Sequence, residues 1–419
     1  MGGHGLISTT GAPLRHKGVE RGIGSSIVDL TWEPSTCCRL CAESVLNLRG
    51  STHPYMPSFW SRKPSLDYDF RRLIDTNWVE KPKMGAGAVH IVCDIDKTYL
   101  ETRFESVVQM ARIAFEEASQ KITVQGASEV LLAARWDATD TEGHLVAPRP
   151  LHFVSSSPPQ LRSVLEEKLA LDGLDWTSDT FKNQAYNLRK GRMDQLRQHV
   201  AYKSAAILRL IRAAGPGAHF VFLGDNAESD PLIYIGIKLA VEGRLDSEGY
   251  SRYLEIAGVK TEIARDVVAL AEGLDDVRIR EILIRSVSGY HAFDVPPFTD
   301  VVRRFANFFE AGLLLATVPV IGAQTLWPLT RVFHNLYGMS RSELAVHLRL
   351  LAGEADRSWS SAAREALERL KALGPMEARE RPSPLLPRDL GAFLGMSQDD
   401  ILRHVKDWVT RQALRPSPT

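Results

Sequence analysis

Two aspartates, Asp94 and Asp96, stand one residue apart at the end of an apolar run that begins at His90. An apolar run of this length, bounded by polar residues, is typical of a buried strand. Residues two apart on an extended backbone project to the same side, so both carboxylates would reach one small site. One carboxylate could act there as a nucleophile and the other in proton transfer. The alternative is an ordinary strand end followed by an Asp-rich turn.

Two further apolar runs also end in polar side chains. Ser155 follows one run directly, and Asp225 follows the other after a glycine, with Asp230 close behind. Because parallel strands bring their carboxyl ends to one edge of a sheet, we expect these side chains to meet the aspartate pair in one crevice. Taken singly, each has a structural explanation, since serine suits a turn and aspartate suits a turn or a helix N-cap.

The carboxylates, together with one lysine, predict chemistry on a phosphate group. Asp94, Asp225 and Asp230 offer the oxygen ligands that Mg²⁺ prefers, and this cation usually binds a substrate phosphate as well. Lys203, on the helix predicted before the third strand, could neutralise a transferring phosphoryl group. Carboxylate nucleophiles also form aspartyl-phosphates. The alternative interpretation of Lys203 is a solvated surface lysine.

Helices are predicted between and after the three strands. Apolar residues recur at helical spacing over residues 104–120, 160–171 and 202–213. Parallel neighbours in a sheet need long connections, and helices supply them, so the alternation indicates an α/β fold with a parallel sheet flanked by helices. Beyond about residue 248 no comparable strand is predicted. Helical periodicity dominates there, as at residues 262–272, 300–314 and 342–351.

The predicted organisation has five segments. Residues 1–84 are rich in Gly, Ser, Pro and Trp and form a partly irregular extension. The α/β core spans residues 85–246, and a mainly helical region follows at 247–373. Residues 374–387 contain several prolines and predict a linker, after which residues 388–419 form a short helical segment.

Composition excludes several classes of protein. The chain has 419 residues, 44% of them hydrophobic, and can bury a substantial core. Its 51 basic residues balance 51 acidic ones, so no overall field favours nucleic acid. The most apolar stretch, residues 311–323, is interrupted by Pro319 and is shorter than the roughly 20 residues that a membrane span needs. We therefore predict a core helix there and no transmembrane segment, while peripheral membrane contact stays compatible with the sequence.

The four cysteines predict no disulfide framework. Cys37, Cys38 and Cys41 are crowded together, and Cys93 lies in the first predicted strand. No second pair of ligands with zinc-site spacing follows Cys38 and Cys41. A reducing compartment is the simpler inference, and we predict a cytoplasmic location.

Four motifs in this chain resemble those of the haloacid dehalogenase (HAD) superfamily of phosphatases. Residues 94–98, Asp-Ile-Asp-Lys-Thr, are similar to its first motif, Asp-x-Asp-x-Thr, and Ser155 is similar to the Ser or Thr that ends its second-motif strand. Lys203 corresponds to the lysine before the fourth motif. Residues 224–230 resemble the fourth motif itself, Gly-Asp-x-x-x-x-Asp. The resemblance implies a HAD-like Rossmannoid sheet and a phosphatase.

Within that superfamily, residues 88–245 resemble the actin-patch-protein type of phosphatidate phosphatase. The similarity depends on the phrases at residues 153–161 and 224–234. One position departs from the pattern, because the residue before the first-motif threonine is often aspartate in that family and is Lys97 here. The resemblance implies a phosphomonoester substrate, with phosphatidate or another lipid phosphate as the family-level candidate.

The resemblance also implies a role for each catalytic residue. Asp94 would attack phosphorus in line, forming an aspartyl-phosphate. Asp96 would protonate the leaving oxygen and then activate the water that hydrolyses the intermediate. Ser155 would donate a hydrogen bond to a phosphoryl oxygen, and Lys203 would screen the charge between nucleophile and phosphate.

Mg²⁺ is the cofactor that the resemblance implies. Its implied ligands are the Asp94 carboxylate, the backbone carbonyl of Asp96 and the Asp225 carboxylate, with Asp230 as a direct or indirect support. Thr98 is expected to shape the loop of the first motif.

A second hypothesis treats the chain as a binding or scaffold protein. In that case the core would recognise a phosphate, and the helical C-terminal half would contact a protein partner. A pure binder has no physical need for Asp96, so phosphate release that requires Asp96 would exclude it. A phosphatase acting on nucleic-acid ends finds no support in the balanced charge.

Overall fold

A seven-stranded sheet lies at the centre of the part of the chain that the structure describes. The structure, a computed structural model, describes residues 70–81, 87–101, 118–137, 148–183, 193–274, 276–287, 301–318, 320–354, 357–374 and 395–413. The strands are β1 (Ile74–Trp78), β2 (Val89–Asp94), β3 (Leu151–Val154), β4 (Ser178–Lys182), β5 (His219–Asp225), β6 (Arg278–Arg285) and β7 (Arg303–Phe305). Their spatial order is β1-β4-β3-β2-β5-β6-β7. All neighbours are parallel except β1 and β4, which confirms the predicted α/β fold.

The central strands β3, β2 and β5 are buried on both faces of the sheet. Successive side chains alternate between two separate apolar cores, so that Val92 and Phe220 enter one while Ile91 and Val221 enter the other. Strands covered on both faces tend to carry apolar residues at successive positions. This explains why their sequences are largely apolar, with His90 and His152 as buried polar exceptions.

Helices cover both faces of the sheet in the described ranges. The core on the Val92 side is completed by α1 (Phe70–Leu73), α4 (Met193–Ala214), α5 (Asp230–Val241), α6 (Ser247–Ile256), α7 (Thr261–Ala271) and α12 (Gln398–Ala413). The core on the Ile91 side is completed by α2 (Ala127–Trp136), α3 (Arg162–Leu171), α8 (Phe308–Thr317), α9 (Leu326–Asn335), α10 (Arg341–Glu354) and α11 (Arg357–Ala372).

Several predicted helices are confirmed. Those predicted at 160–171 and 202–213 are α3 and α4, and those at 262–272 and 342–351 are α7 and α10. The helix predicted at 104–120 lies outside the described residues, apart from a short 3₁₀ turn at Ala118–Gln120. The extension at 1–84 and the linker at 374–387 also lie almost wholly outside them and stay predictions.

The expectation that no strand follows residue 248 was wrong. Strands β6 and β7 extend the sheet beyond β5. Strand β6 contains three arginines, which obscure its apolar residues in the sequence, although Ile282, Leu283 and Ile284 are fully buried. The helix predicted at 300–314 starts only at Phe308, because residues 303–305 pair with β6.

The apolar stretch from residue 311 belongs to the core, as predicted. It forms most of α8, whose residues are buried from Phe308 to Ala316. Across the described ranges, none of the helices combines the length and the apolar character needed to cross a membrane.

Candidate active site

The carboxyl ends of three adjacent strands place the predicted polar residues at one edge of the sheet. Strand β2 lies between β3 and β5 and is parallel to both. Asp94 ends β2, Ser155 follows β3 directly, and Asp225 ends β5. Asp230 begins α5 and returns to the same edge. The structure thus brings together groups that are more than 130 positions apart in the sequence.

Lys203 links two of the aspartates. Its ammonium Nζ donates to Asp94 Oδ1 at 2.7 Å and to Asp230 Oδ1 at 2.6 Å, and all three side chains are buried. Burial alone would lower the pKa of Lys203, but the two carboxylates outweigh it and raise the pKa well above its ordinary value. The lysine is therefore a fixed positive charge beside Asp94.

Three carboxylates form an oxygen-lined cluster. One oxygen from each of Asp94, Asp225 and Asp230 lies within 4.8 Å of the others, and all three residues are buried. Burial raises the pKa of each carboxyl group, in the case of Asp225 to about 8. Asp94 Oδ2 and Asp230 Oδ2 accept no hydrogen bond from any described residue. Buried carboxylate oxygens without donors, in an all-oxygen set, suit a hard divalent cation such as Mg²⁺.

Asp96 lies in a separate hydrogen-bonded group with two serines. Its Oδ2 accepts from Ser155 Oγ at 3.0 Å and from Ser157 Oγ at 2.9 Å, and Ser155 Oγ accepts from the Ser157 backbone N–H at 2.9 Å. Burial and the nearby Glu228 raise the pKa of Asp96, while the two serines oppose the rise. A carboxyl group with a raised pKa retains a proton more readily, as proton transfer to a leaving group requires.

Ser155 and Ser157 both contact Asp96, which the motifs alone did not predict. We expected Ser155 to donate to a phosphoryl oxygen, and in the structure its hydroxyl donates to Asp96. Ser157 received no role from the sequence, because a Ser-Ser-Ser-Pro run is typical of a plain turn. Its contact with Asp96 depends on how the chain turns after β3.

The loop of the first motif has an unusual backbone. Lys97 has φ of 61°, in the left-handed region that costs a non-glycine residue about 1–2 kcal/mol. The next residue, Thr98, is buried, and its Oγ1 donates to Asp225 Oδ2 at 3.4 Å. Asp225 Oδ1 accepts from two backbone N–H groups, of Ala227 at 2.6 Å and of Glu228 at 3.1 Å. The first-motif loop thus donates to one oxygen of the Asp225 carboxylate, and the fourth-motif loop donates to the other.

Gly224 allows the fourth-motif loop to pack closely. A Cβ at this position would lie 2.6 Å from Asp230 Oδ2 and 2.7 Å from Tyr234 Cε2. Both neighbours are buried, and Lys203 holds Asp230 in place, so neither can move aside easily. A glycine before Asp225 is therefore a steric requirement of this site.

One comparison with known proteins finds a match. Residues 89–247 match the family model described as the catalytic domain of phosphatidate phosphatase APP1, which is less than half of the chain. No curated protein and no solved structure shows significant similarity to the chain. The matched range contains every site residue that the sequence predicted and the strands β2 to β5. Residues 89–247 are therefore a HAD-like phosphatase-type domain, similar to the catalytic domain of phosphatidate phosphatase APP1.

Proposed function

We propose that this protein is a Mg²⁺-dependent phosphatase that hydrolyses a phosphomonoester through an aspartyl-phosphate on Asp94. The observation that carries the proposal is the bridge from Lys203 to Asp94 and Asp230, within a carboxylate cluster of a phosphatase-type domain. The bridge leaves Asp94 Oδ2 without a hydrogen-bond donor among the described residues. That oxygen is the one available to bind a phosphorus atom or a cation.

The first chemical step transfers the phosphoryl group to the protein. A carboxylate oxygen of Asp94 forms a bond to phosphorus while the bond from phosphorus to the leaving oxygen breaks. The proton that the leaving oxygen needs comes from Asp96, whose raised pKa favours the protonated form. Lys203 offsets negative charge beside Asp94 during the transfer.

The second step releases phosphate. Asp96, now deprotonated, accepts a proton from water as the water oxygen bonds to phosphorus and the Asp94–phosphorus bond breaks. Ser155 and Ser157 hold the Asp96 carboxylate through their hydroxyl groups, and this fixes its orientation for both proton transfers. Both aspartates return to their starting protonation states.

The carboxylate cluster is the proposed metal site. Asp94, Asp225 and Asp230 would hold Mg²⁺, and the backbone carbonyl of Asp96 is the further ligand predicted from the sequence. When bound, the cation would neutralise charge on the phosphoryl oxygens.

Similarity to a phosphatidate phosphatase domain supports a phosphorylated lipid as the substrate class. Peripheral contact with a membrane surface would accompany such a substrate. The predicted cytoplasmic location is part of the same proposal, and the free thiol of buried Cys93 fits a reducing compartment.

Phosphate release from a substrate panel tests the function. The panel contains phosphatidate, p-nitrophenyl phosphate, a phosphopeptide and a sugar phosphate, each assayed with Mg²⁺ and with a chelator. We expect Mg²⁺-dependent release that Asp96→Asn abolishes. The matched control is Asp399→Asn, an exposed aspartate in the first turn of α12, which should retain full activity. Binding of Mg²⁺ and phosphate without turnover of any substrate would instead favour the scaffold hypothesis.

A further inference from the structure

A carboxylate of the fourth-motif loop lies between two lysines of the site. Glu228 Oε1 is 3.9 Å from Lys97 Nζ, and Glu228 Oε2 is 3.9 Å from Lys203 Nζ. Both distances exceed a hydrogen bond, so the carboxylate is attracted to the lysines without being fixed to either one by these contacts. Burial would raise the pKa of Glu228, but the basic groups around it, Lys203 foremost, lower it below its ordinary value.

A third lysine, Lys182, is buried close to the serine partners of Asp96. It ends β4, is only 2% exposed, and its backbone N–H donates to the Ser157 carbonyl at 3.0 Å. Its ammonium lies 5.7 Å from the ring centroid of Tyr202, whose hydroxyl donates to the Ser155 carbonyl at 3.0 Å. Lys182 is thereby held next to the serine loop that binds Asp96.

Lys182 has no ion pair with a carboxylate in the part of the chain that the structure describes. Burial lowers its pKa to about 8, and Glu228 is the acidic group that opposes this effect. A buried ammonium without a paired anion is costly. A bound anionic substrate would supply the negative charge that such a buried ammonium lacks.

Glu228 also lies near the reacting groups, because Lys203, whose Nζ is 3.9 Å from Glu228 Oε2, donates to Asp94 Oδ1 at 2.7 Å. Burial raises the pKa of Asp94 and of Asp96, and the negative charge of Glu228 contributes to both increases. The side chain of Glu228 is 27% exposed, unlike the buried Asp94, and its neighbours Ala227 and Ser229 are partly exposed as well. A phosphate bound beside Asp94 and Lys203 would therefore come close to the Glu228 carboxylate.

We propose that Lys97, Lys182 and Lys203 form a basic pocket that binds the phosphomonoester dianion of the substrate, and that the Glu228 carboxylate occupies this pocket until the substrate displaces it. The substrate class rests on the proposed phosphatase function. A phosphate dianion carries more charge and more acceptor oxygens than a carboxylate, so it gains more from the same three ammonium groups. Lys182 and Lys97 then select dianionic monoesters over phosphodiesters, which carry one charge.

Calorimetric titration with inorganic phosphate tests the pocket on the full-length protein in Mg²⁺ buffer. We expect Lys182→Met to weaken phosphate binding about tenfold, because it removes one charged hydrogen-bond donor. Glu228→Gln should tighten binding by about the same factor, because the internal competitor loses its charge. Lys182→Arg retains the charge and should keep most of the affinity. The control is Lys371→Met, which removes an exposed lysine that pairs with Glu368 on α11.

The outcomes separate this inference from the proposed function. Phosphate affinities of Lys182→Met and Glu228→Gln that both equal the wild-type value would overturn the pocket, even if phosphomonoesters are hydrolysed. Weaker phosphate binding in Glu228→Gln would also overturn it. If phosphate binds with the expected pattern but no phosphomonoester is hydrolysed, the proposed function fails and the pocket stands. Circular dichroism of each variant confirms that the fold is retained.

Discussion

Arg285 donates a hydrogen bond from Nη1 to the backbone carbonyl of Lys97, at 2.6 Å. Arg285 ends β6, outside the range that matches the phosphatase family, and its other terminal nitrogen pairs with Glu101 at 2.5 Å. Its backbone carbonyl accepts from the Asn226 N–H at 3.1 Å. The end of β6 therefore contacts both the loop that carries Asp96 and the loop that follows Asp225. A strand beyond the matched range positions the candidate active site.

Arg285→Met should lower kcat for p-nitrophenyl phosphate by about 10- to 100-fold, because a small displacement of a reacting group is enough for such a loss. The reason is that the first-motif loop loses the contact that supports the left-handed backbone of Lys97. Arg278→Met, at the exposed opposite end of β6, is the control and should keep the wild-type kcat. A wild-type kcat in Arg285→Met would show that β6 does not position the loop.

The strands of the sheet were predictable where burial on both faces restricts the residues mainly to apolar types. Strands β2, β3 and β5 are covered on both faces and show apolar runs, whereas β4 was missed because its sequence, Ser-Asp-Thr-Phe-Lys, is mostly polar. Its polar residues are buried with partners from distant elements: Asp179 pairs with Arg162 at 2.7 Å, and Thr180 bonds Thr76 at 3.0 Å. Such partners depend on strand order, which periodicity does not encode.

The site was predictable only as far as its motifs extend. Asp94, Lys203 and Asp230 stand in recognisable order, and the structure joins them directly. Lys182 and Arg285 belong to no motif, and they reach the site because β4 and β6 occupy particular places in the sheet. The presence of these two residues near the site depends on the order of strands in the sheet. Residue spacing along the chain does not predict that order.

Without the bound cation, the free energy of unfolding should fall as pH rises. Without metal, burial raises the pKa of Asp225 to about 8, whereas the carboxyl of an unfolded chain titrates near 3.8. Between these values the folded state binds more protons than the unfolded state, so the free energy of unfolding falls with increasing pH. Mg²⁺ binds the deprotonated carboxylates, so it should raise the melting temperature more at about pH 8.5 than at about pH 6.

Differential scanning calorimetry with and without Mg²⁺ checks this pH dependence. The gain in melting temperature should shrink in Asp225→Asn and stay unchanged in the control Asp399→Asn. An equal Mg²⁺ effect at both pH values, or an undiminished effect in Asp225→Asn, would contradict the assigned metal ligands.

Two buried histidines should destabilise the protein in acid. His90 Nδ1 and His152 Nε2 are 3.0 Å apart, and His152 Nδ1 is 2.8 Å from Ser178 Oγ. Burial lowers the pKa of His90 to about 4 and that of His152 well below its ordinary value. Between about pH 6.5 and pH 4 the unfolded state binds protons that the folded state does not, so stability falls by up to about 1.4 kcal/mol per pH unit for each histidine.

Urea unfolding at several pH values measures this slope. His90→Gln, which can still hydrogen-bond His152, should show a shallower loss of unfolding free energy between pH 7 and pH 5 than the wild type. The same slope in both proteins would mean that His90 is not the group that titrates.

Gly224→Ala should destabilise the protein by about 1–3 kcal/mol, since overpacking forces neighbouring groups to move. The added Cβ would meet Asp230 Oδ2 at 2.6 Å and disturb the contact of Asp230 with Lys203. Gly353→Ala is the matched control, because Gly353 lies in α10 with no atom within 4 Å of its would-be Cβ. There alanine should stabilise by about 0.5–1 kcal/mol. Urea unfolding measures the stability of both variants relative to the wild type. If Gly224→Ala is as stable as Gly353→Ala, Gly224 is not sterically required.

The most direct test of the account is to trap the phosphoryl group on Asp94. The protein is mixed with p-nitrophenyl phosphate and Mg²⁺, quenched in acid during turnover, digested, and examined by mass spectrometry. We predict a phosphoryl group on the peptide that contains Asp94 and none in Asp94→Asn, whose phosphate release should fall by at least about a thousandfold. Phosphate release by Asp94→Asn at the wild-type rate would contradict the account.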